Sequence, residues 1–436
     1  MAKADGSTRV VPGGILLPFA LVTLLFPLWG FANDITNPMV KAFSRILQMS
    51  NFEGSLVQFA FYGGYFAMAF PAALFIKRYS YKAGILVGLA LYATGALLFI
   101  PGSRMGVFWP FLVAYFVLTC GLSFLETSAN PYILSMGSPE TATRRLNLAQ
   151  SFNPMGSLLG MVVAQQFILA RLDPATAAER GAMGAGQLAA LTARDLAVIR
   201  GPYVAIALVL AGVFVAIALT RMPTHGEENR SLQLGPTLGR LLRNRRYVGG
   251  VVAQFFYVGA QIMCWTFIIH YATLELGLDE VTAQGYNIVA MVVFVCGRFI
   301  CTFLLKHVSP GALLLALAVA GGAFTAGTIV LPGMPGLWSL VGISACMSLM
   351  FPTIYGIALE GVGEDAKLGA AGLIMAILGG SVLPPLQGAI IDLGSVQLAG
   401  LSIPAVRASF ILPFVSFVVI AIYGGRSRSP NLEGGR

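Results

Sequence analysis

Two carboxylates stand alone inside long apolar stretches of this sequence. Asp34 lies in FANDITNP and Glu126 lies in CGLSFLETSANP, and neither has a basic residue within a helical turn. A charged side chain at the centre of a membrane helix costs about 2.5–3.5 kcal/mol on insertion scales, so such residues are by default functional. A carboxyl group held away from water can be neutral in one state of a protein and charged in another. We therefore interpret both residues as candidate proton-coupling sites, and Glu126 also as an acceptor for a substrate hydroxyl. The structural alternative is that each carboxylate only caps a helix break beside Pro38 or Pro131.

Amide and aromatic side chains recur at intervals of three and four residues, which places them on one face of each helix. Isolated amides in membrane helices often only tie helices together, whereas stripes on several helices predict a shared cavity. Amides, hydroxyls and an aromatic face suit a sugar, which needs paired donors and acceptors and an apolar surface for its ring. The stripes are Glu126 and Asn130; Asn147, Gln150, Asn153 and Ser157; and Gln254, Tyr257, Gln261 and Trp265.

The composition indicates a membrane protein. Of the 436 residues, 57% are hydrophobic and only 10% are charged, whereas a soluble domain carries about a quarter charged residues. The 51 glycines and 23 prolines suit membrane helices that pack closely and break where they line a cavity. The net charge of +9 does not indicate nucleic acid, because the basic residues cluster in alternate loops.

Twelve apolar segments, numbered 1 to 12 here, predict an all-α membrane protein. We interpret segment 1 as an uncleaved first helix rather than a secretory signal, because its apolar run is long and further segments follow. The predicted bounds are 15–47, 54–76, 83–101, 108–136, 147–170 and 201–221, and then 247–275, 284–305, 310–331, 337–360, 368–391 and 403–423.

The domain prediction is an N-terminal six-helix half (1–221), a cytoplasmic linker (222–246) and a C-terminal six-helix half with a cytoplasmic tail (247–436). Residues 171–200 are expected to form an external insert with some helix. With the N-terminus inside, the inner loops and tails hold about 18 Lys and Arg and the outer loops about 8, which favours cytoplasmic termini.

The two halves echo each other. Each pairs a proline-bearing segment with a short charged loop and then a glycine-rich segment, as in NPYILSMG before LNLAQSFNPMGSLLG and FPTIYGIALEGVG before LGAAGLIMAILGGSVLPPL. Two parallel six-helix repeats are the pattern of the major facilitator fold.

The remaining charged and metal-ligating residues receive structural interpretations. Arg298, on the face of Asn287 and Met291 in segment 8, is expected to snorkel to the cytoplasmic surface or to pair structurally. Five scattered cysteines and three scattered histidines predict free thiols and neither a metal site nor a cofactor. Ordinary interfacial charges are expected at Glu360, Glu364, Asp365, Lys367 and Asp392.

Several long motifs resemble the fucose–proton symporter family of the major facilitator superfamily, which also includes glucose/galactose and N-acetylhexosamine carriers. These motifs cover nearly the whole chain in the family's order. They are LVQFAFYGGYF, RYSYKAGILVGLALYATGALLF, LETSANPY, RLNLAQSFNPMGS, AQFFYVGAQIMCW and GRF.

The resemblance implies that Asp34 and Glu126 serve proton coupling and sugar recognition. It also implies that amides of segment 5 and the polar stripe of segment 7 line the sugar cavity. The distance from Trp29 to Asp34 is shorter here than in many members, by about one helical turn. The candidate sugar ligands are Asn33, Glu126, Asn130, Gln150, Asn153, Gln254, Tyr257, Gln261, Trp265 and Asn287.

The leading functional prediction is a monomeric, proton-coupled symporter of the inner membrane that imports a neutral monosaccharide, such as L-fucose or a related hexose, by alternating access. An uncoupled facilitator and a sodium-coupled symporter remain as alternatives, as does drug export. An enzyme is not expected, since no HExxH, GxSxG or clustered ligand set occurs. Sequence does not identify the sugar.

Overall fold

The computed structural model describes residues 10–48, 51–175, 177–223, 234–398 and 401–427. The predicted N-terminal tail up to residue 9, the linker residues 224–233 and the tail residues 428–436 lie outside the described residues.

Each of the first six predicted segments coincides with helix. Segment 6 begins well before the predicted residue 201, because the preceding run is rich in Ala and Leu and has no proline or β-branched stretch to stop a helix. The observed bounds are Gly13–Ile15 as a 3-10 turn with Leu16–Thr23 and Leu25–Ile46 for segment 1; Asn51–Arg78 for segment 2; Tyr81–Leu97 with Phe99–Met105 for segment 3; Trp109–Ser135 for segment 4; Ala142–Gln150 and Asn153–Val163 with a π-helical end Ala164–Ile168 for segment 5; and Ala185–Leu219 for segment 6.

The last six predicted segments are helical as well, and three of them are interrupted. The observed bounds are Arg245–Leu276 for segment 7; Glu280–Leu304 for segment 8; Pro310–Val330 for segment 9; Met334–Met347 and Met350–Leu359 for segment 10; Ala366–Met375 and Gly379–Ile391 for segment 11; and Ala405–Ala408 with Ile411–Arg426 for segment 12.

Among the described residues, eleven helical stretches are long and apolar enough to cross a membrane. The helix Asn51–Arg78 lies where segment 2 was predicted. The all-α membrane class is therefore confirmed, and the arrangement agrees with twelve segments. One local departure is a two-stranded antiparallel hairpin between segments 11 and 12, in which Val396 pairs with Ile403. Its strands, Ser395–Leu398 and Leu401–Pro404, carry β-branched residues that favour extended backbone.

The insert between segments 5 and 6 contains a buried ion pair. The guanidinium of Arg180, at the end of the short helix Ala177–Gly181, lies 2.5 Å from Asp195 of segment 6, and both side chains are fully buried. Arg180 also donates to the carbonyl of Ala175, and Asp195 accepts from the amide of Asp173. These bonds fold the insert back onto segment 6.

The part of the linker that the structure describes forms the helix Leu234–Arg243. Arg240 donates two hydrogen bonds of 2.7 Å to the Asp365 carboxylate, which Thr237 also binds at 3.0 Å. The hydrogen bonds that Arg240 donates to Asp365 raise the pKa of its guanidinium above its ordinary value. Asp365 and Lys367 are buried, so the expectation of ordinary interfacial charges is wrong for both. No local sequence pattern predicts this contact, because the two partners are 125 residues apart.

By the density of contacts between residues, the chain divides into two compact units. The N-terminal unit comprises residues 11–136 and 152–232. The C-terminal unit comprises residues 1–10, 137–151 and 233–436. The first half of segment 5 thus groups with the C-terminal residues, and the division falls at its interruption between Gln150 and Asn153.

Glycines bring segments 1 and 5 of the N-terminal unit into backbone contact. A Cβ at Gly156 would collide with the carbonyl of Pro27, and a Cβ at Gly30 would collide with the carbonyl of Asn153. Small residues let membrane helices approach closely enough for dispersion contacts between backbones. The backbone of segment 1 just before Asp34 therefore packs directly against segment 5.

The C-terminal unit repeats this device between segments 7 and 11. A Cβ at Gly379 would collide with the carbonyl of Phe255, and a Cβ at Gly259 would meet the side chain of Leu383 and the carbonyl of Gly379. Segments 7 and 11 are the counterparts of segments 1 and 5 in the predicted repeat. The same glycine-mediated pairing in both units supports the six-helix repeat.

The replacement Gly156→Ala should destabilise the protein, because the carbonyl of Pro27 belongs to the backbone and cannot swing aside. Overpacking of this kind costs about 1–3 kcal/mol. We expect a lower thermal unfolding temperature of the detergent-purified protein, or loss of folded protein. Gly212→Ala is the matched control, since a Cβ there has nothing within 4 Å. Equal unfolding temperatures for the two variants would contradict the packing described here.

Candidate functional site

Asp34 lies in the middle of the helix Leu25–Ile46 and is partly buried. The Ser157 hydroxyl of segment 5 and Tyr62 of segment 2 both lie close enough to its carboxyl group to interact with it electrostatically. Ser157 is placed there by the close packing of segments 1 and 5, and it also approaches the carbonyl of Gly30 at 3.4 Å. Among the described residues, the side chains that interact with Asp34 are thus hydroxyl groups.

Glu126 is 4% exposed in the helix Trp109–Ser135. The hydroxyl of Tyr65 donates a 2.7 Å hydrogen bond to its Oε1. The Ser123 hydroxyl, one turn before Glu126, donates to the Tyr65 carbonyl at 3.1 Å and so fixes segment 2 against segment 4. Among the described residues, no Lys, Arg or His lies at ion-pair distance from Glu126.

Two tyrosines of segment 2 link the surroundings of the two carboxylates. Tyr62 and Tyr65 are three residues apart, interact electrostatically with each other, and face Asp34 and Glu126 respectively. The four side chains form one chain of polar groups inside the N-terminal unit. Both carboxylates lie within continuous helices, so the alternative of a capped helix break is wrong for this structure.

Other predicted residues of the N-terminal unit bind mainly to backbone. The amide of Asn130 donates to the carbonyl of Glu126 at 3.0 Å, and that of Asn153 donates to the carbonyl of Phe26 at 3.1 Å. The Oδ1 of Asn33 is buried and has no hydrogen-bond partner among the described residues. Asn130 therefore binds within its own helix and Asn153 joins segment 5 to segment 1, whereas Asn33 carries an acceptor that is available.

In the C-terminal unit, two predicted aromatic residues are already engaged. The Tyr257 hydroxyl donates to the carbonyl of Met347 at 3.1 Å, and the indole Nε1 of Trp265 donates to the Ser344 hydroxyl at 3.2 Å. Both bonds run from segment 7 to segment 10. They orient the two rings, of which Tyr257 is fully buried and Trp265 only partly.

Gln254 differs from its neighbours because its amide is fully buried and unsatisfied. Neither its Oε1 nor its Nε2 has a hydrogen-bond partner among the described residues, and the same holds for Oδ1 of Asn287. A buried polar atom without a partner costs about 1–3 kcal/mol, so it calls for a specific explanation. Buried amide atoms without a hydrogen-bond partner are suited to binding a polar ligand. Gln261 is partly buried, and Gln150 is 3% exposed.

Comparison with known proteins decides the family. Residues 22–381 match the model of the Major Facilitator Superfamily. The chain belongs to the Major Facilitator Superfamily. Within it, the chain is 51% identical to the L-fucose-proton symporter of Haemophilus influenzae over 97% of this chain and 99% of that protein. It is 32% identical to a glucose/galactose transporter of Brucella abortus over 93% of both chains.

Among solved structures, the chain is similar to the Major Facilitator Superfamily transporter FucP in its outward conformation. The TM-score is 0.87 at 35% identity, over 97% of this chain and all of that one. The resemblance to the fucose–proton symporters is confirmed. The major facilitator fold expected from the sequence is confirmed as well, and a transporter of this superfamily is not an enzyme.

The structure brings the predicted residues together within each unit. Asp34 and Glu126 share one polar chain in the N-terminal unit, and Gln254, Tyr257 and Trp265 lie along segment 7 in the C-terminal unit. That the two sets line a single sugar cavity stays a prediction, as do the roles of all these residues.

Sequence reasoning missed Tyr62 and Tyr65, and of its two alternatives for Arg298 the structure shows the structural pairing. The motif FYGGYF held the signal for the tyrosines, since its two Tyr residues share a helix face, but only the fold pairs that face with segments 1 and 4. Arg298 does not snorkel to the surface. It is 3% exposed and binds two backbone carbonyls.

Replacement of Tyr65 tests the hydrogen bond to Glu126 by a double-variant cycle. Tyr65→Phe removes the donor, and a hydrogen bond to a charged group is worth about 1.5–3 kcal/mol. We expect Tyr65→Phe and Glu126→Ala each to lower the thermal unfolding temperature, because alanine, unlike glutamine, also removes the acceptor. The double variant should lose clearly less than the sum, since both changes remove one interaction. Tyr79→Phe, at an exposed position directly after that segment, is the control. Strictly additive losses would show that Tyr65 does not support Glu126.

Proposed function

We propose that this chain imports L-fucose, or a closely related neutral monosaccharide, together with protons. The observation that carries the proposal is the state of Glu126, a carboxyl group 4% exposed, bound by a tyrosine hydroxyl and without a cation at ion-pair distance among the described residues. A buried carboxylate without a counter-charge is costly, so such a group favours binding a proton. An uncoupled carrier does not require such a proton-binding carboxyl group.

Relatives support the sugar and the coupling ion. The Haemophilus influenzae and Escherichia coli proteins that share 51% and 36% identity with this chain are both named L-fucose-proton symporters. Glucose/galactose transporters share less, at 32% or below. Of the sugars carried by relatives, L-fucose is therefore the first candidate.

Protonation links the two carboxyl groups in this proposal. Asp34 takes a proton as sugar loads from outside, and Tyr62 and Tyr65 connect its surroundings to Glu126. Glu126 accepts hydrogen bonds from sugar hydroxyls, in place of or beside the one from Tyr65. With both groups neutral or satisfied, the carrier changes the side to which its site is open at a lower electrostatic cost.

The proposed sugar ligands are mainly buried amide and aromatic groups. Gln254, Asn287 and Asn33 offer the buried amide atoms that lack partners, and they supply donors and acceptors for hydroxyl groups. The Trp265 ring, oriented by its bond to Ser344, offers an apolar face to the sugar ring. Tyr257, Gln261, Gln150, Asn130 and Asn153 complete the proposed lining.

The proposed setting is the inner membrane, with both termini in the cytoplasm and one monomer as the working unit, without a nucleic-acid partner. The charge bias of about 18 to 8 supports this orientation. Residues 171–200 then lie outside, and residues 222–246 connect the halves 1–221 and 247–436 on the inside.

Asp34→Asn should uncouple transport from the proton gradient. An amide of nearly the same shape keeps hydrogen bonding but cannot gain or lose the proton. We expect loss of uphill accumulation of labelled L-fucose in proteoliposomes, while counterflow between two sugar pools persists. Asp392→Asn, at an exposed position, should keep both activities. If Asp34→Asn still concentrates sugar, coupling resides elsewhere.

Imposed ion gradients separate the proton carrier from its alternatives. In proteoliposomes, an inward proton gradient should drive accumulation of L-fucose without sodium, and a protonophore should reduce it to equilibration. Accumulation that survives the protonophore but needs sodium would indicate sodium coupling, and equilibration alone under every gradient would indicate a facilitator. Competition by L-fucose, galactose, glucose, mannose and N-acetylglucosamine ranks the substrates. We expect L-fucose to compete best.

A further inference from the structure

Segment 8 carries a buried arginine that the proposed transport mechanism does not use. Arg298 is 3% exposed, and no carboxylate among the described residues lies at ion-pair distance from it. Its Nε donates to the carbonyl of Ser348 at 2.6 Å, and its Nη1 donates to the carbonyl of Gln150 at 2.9 Å. The guanidinium lies over the Phe294 ring, 4.7 Å from the centroid. A cation in this setting is costly, so its three contacts need an explanation.

Both carbonyls are freed by prolines. In an α-helix the carbonyl of residue i accepts from the amide of residue i+4, and proline has no N–H to donate. Pro154 follows Gln150 by four residues, and Pro352 follows Ser348 by four residues. Each carbonyl also lies at an interruption, the first between the two helices of segment 5 and the second between those of segment 10. One guanidinium therefore satisfies two helix breaks at once.

The first half of segment 5 has further contacts with segments 8 and 10. The hydroxyls of Ser151 and Thr302 are 3.3 Å apart, and the amide of Asn147 donates to the Thr353 hydroxyl at 3.1 Å. Gly356 has no side chain where Thr143 packs against it. All these residues belong to the C-terminal unit, although segment 5 belongs to the other half in sequence. Arg298 is the charged member of this docking contact.

We propose that Arg298 is a positioning residue of the transport cycle, which locks the broken end of segment 5 to segments 8 and 10 and must release Gln150 when the carrier opens its site to the other side. This inference rests on the proposed transport function. It joins the conformational change to the site, because Gln150 and Asn153, two proposed sugar ligands, flank the break that Arg298 holds. Tyr257 binds the carbonyl of Met347, next to Ser348, and so contacts the same break of segment 10.

Arginine has the geometry for this task and lysine does not. The guanidinium directs two separate N–H groups toward two carbonyls while its plane rests on an aromatic ring. A lysine ammonium is a compact charge on a flexible stem, and it cannot reproduce that arrangement. The proposal therefore distinguishes Arg298→Lys from the parent protein even though the charge is kept.

A native cysteine lies beside the contact and reports on it. Cys301 is 6% exposed, and its Sγ lies 3.8 Å from the Ser348 hydroxyl. Loss of the bond from Arg298 to the Ser348 carbonyl would loosen the break of segment 10 that this thiol faces. A parent in which Cys120, Cys264, Cys296 and Cys346 are replaced by serine or alanine leaves Cys301 as the only thiol. Its rate of alkylation by N-ethylmaleimide in proteoliposomes then measures how often the contact opens.

Arg298→Gln should raise the alkylation rate of Cys301 at least tenfold without sugar, and Arg298→Lys should raise it at least threefold. Pro154→Ala should also raise it, because an alanine amide can bind the Gln150 carbonyl in place of the guanidinium. Lys306→Gln removes an exposed charge from the turn that follows segment 8 and should leave the rate unchanged. Parent rates in both arginine variants would overturn the proposal. If Arg298→Gln does not fold, Arg298→Lys and Pro154→Ala decide in the same way.

The sugar response separates this proposal from the proposed function. In the parent, L-fucose should change the alkylation rate of Cys301, whereas in Arg298→Gln the rate should be high with or without sugar. If alkylation of Cys301 is faster in Arg298→Gln but no tested sugar changes the rate in the parent, the sugar assignment is refuted and the role of Arg298 stands. A sugar-responsive parent with unaccelerated arginine variants would refute the role of Arg298 alone.

Discussion

The lack of water in the bilayer core governs every polar group in this protein. Each buried donor or acceptor must find a partner within the protein, bind the transported species, or remain unsatisfied at a cost of about 1–3 kcal/mol. Most polar side chains described here are satisfied by backbone carbonyls of neighbouring helices, as Asn153 is by Phe26 and Tyr257 by Met347. Against that background, the groups without such a partner stand out. Glu126 is bound only through a hydroxyl, and Gln254 has no hydrogen-bond partner among the described residues. These two polar groups are therefore not explained by helix packing.

The same constraint explains the abundance of glycine and proline. Glycine lets the backbones of segments 1 and 5 touch, as it does for segments 7 and 11, so helices that carry polar ligands are set rigidly against their neighbours. Proline does the opposite, because it frees a carbonyl that some other donor must satisfy. At Pro154 and Pro352 that donor is the Arg298 guanidinium. Glycines thus hold pairs of helices in close contact, whereas the prolines leave carbonyls that a side chain, here Arg298, binds.

The success of the sequence predictions follows from how local each signal is. Segment bounds depend on hydropathy along the chain, and all twelve predicted segments coincide with helix. The carboxylates were identifiable because a charge in an apolar stretch is costly wherever the chain goes. Tyr65 was not, because tyrosine is common in apolar helices and its bond to Glu126 joins residues 61 positions apart. For Arg298 the sequence left two alternatives open, snorkelling to the surface and structural pairing, and did not identify its partners. Its actual partners are carbonyls released by distant prolines, and no hydropathy window contains that information.

The aromatic rings and the amides differ in how firmly they are held, and this difference bears on how a sugar would be selected. Trp265 and Tyr257 are held by bonds to segment 10, so their rings cannot adapt to different substrates without breaking those bonds. Gln254 and Asn287 have no such restraint at their unsatisfied atoms. Rigid aromatic faces and open amides together favour a ligand with one apolar face and hydroxyls at its edge, since a wrongly placed hydroxyl would leave both itself and an amide unpaired. Segment 10 is the common support of these rings and of Arg298, since Tyr257 binds the carbonyl of Met347 and Arg298 binds that of Ser348. In the proposed mechanism, recognition of the sugar and release of segment 5 would therefore depend on neighbouring groups of segment 10.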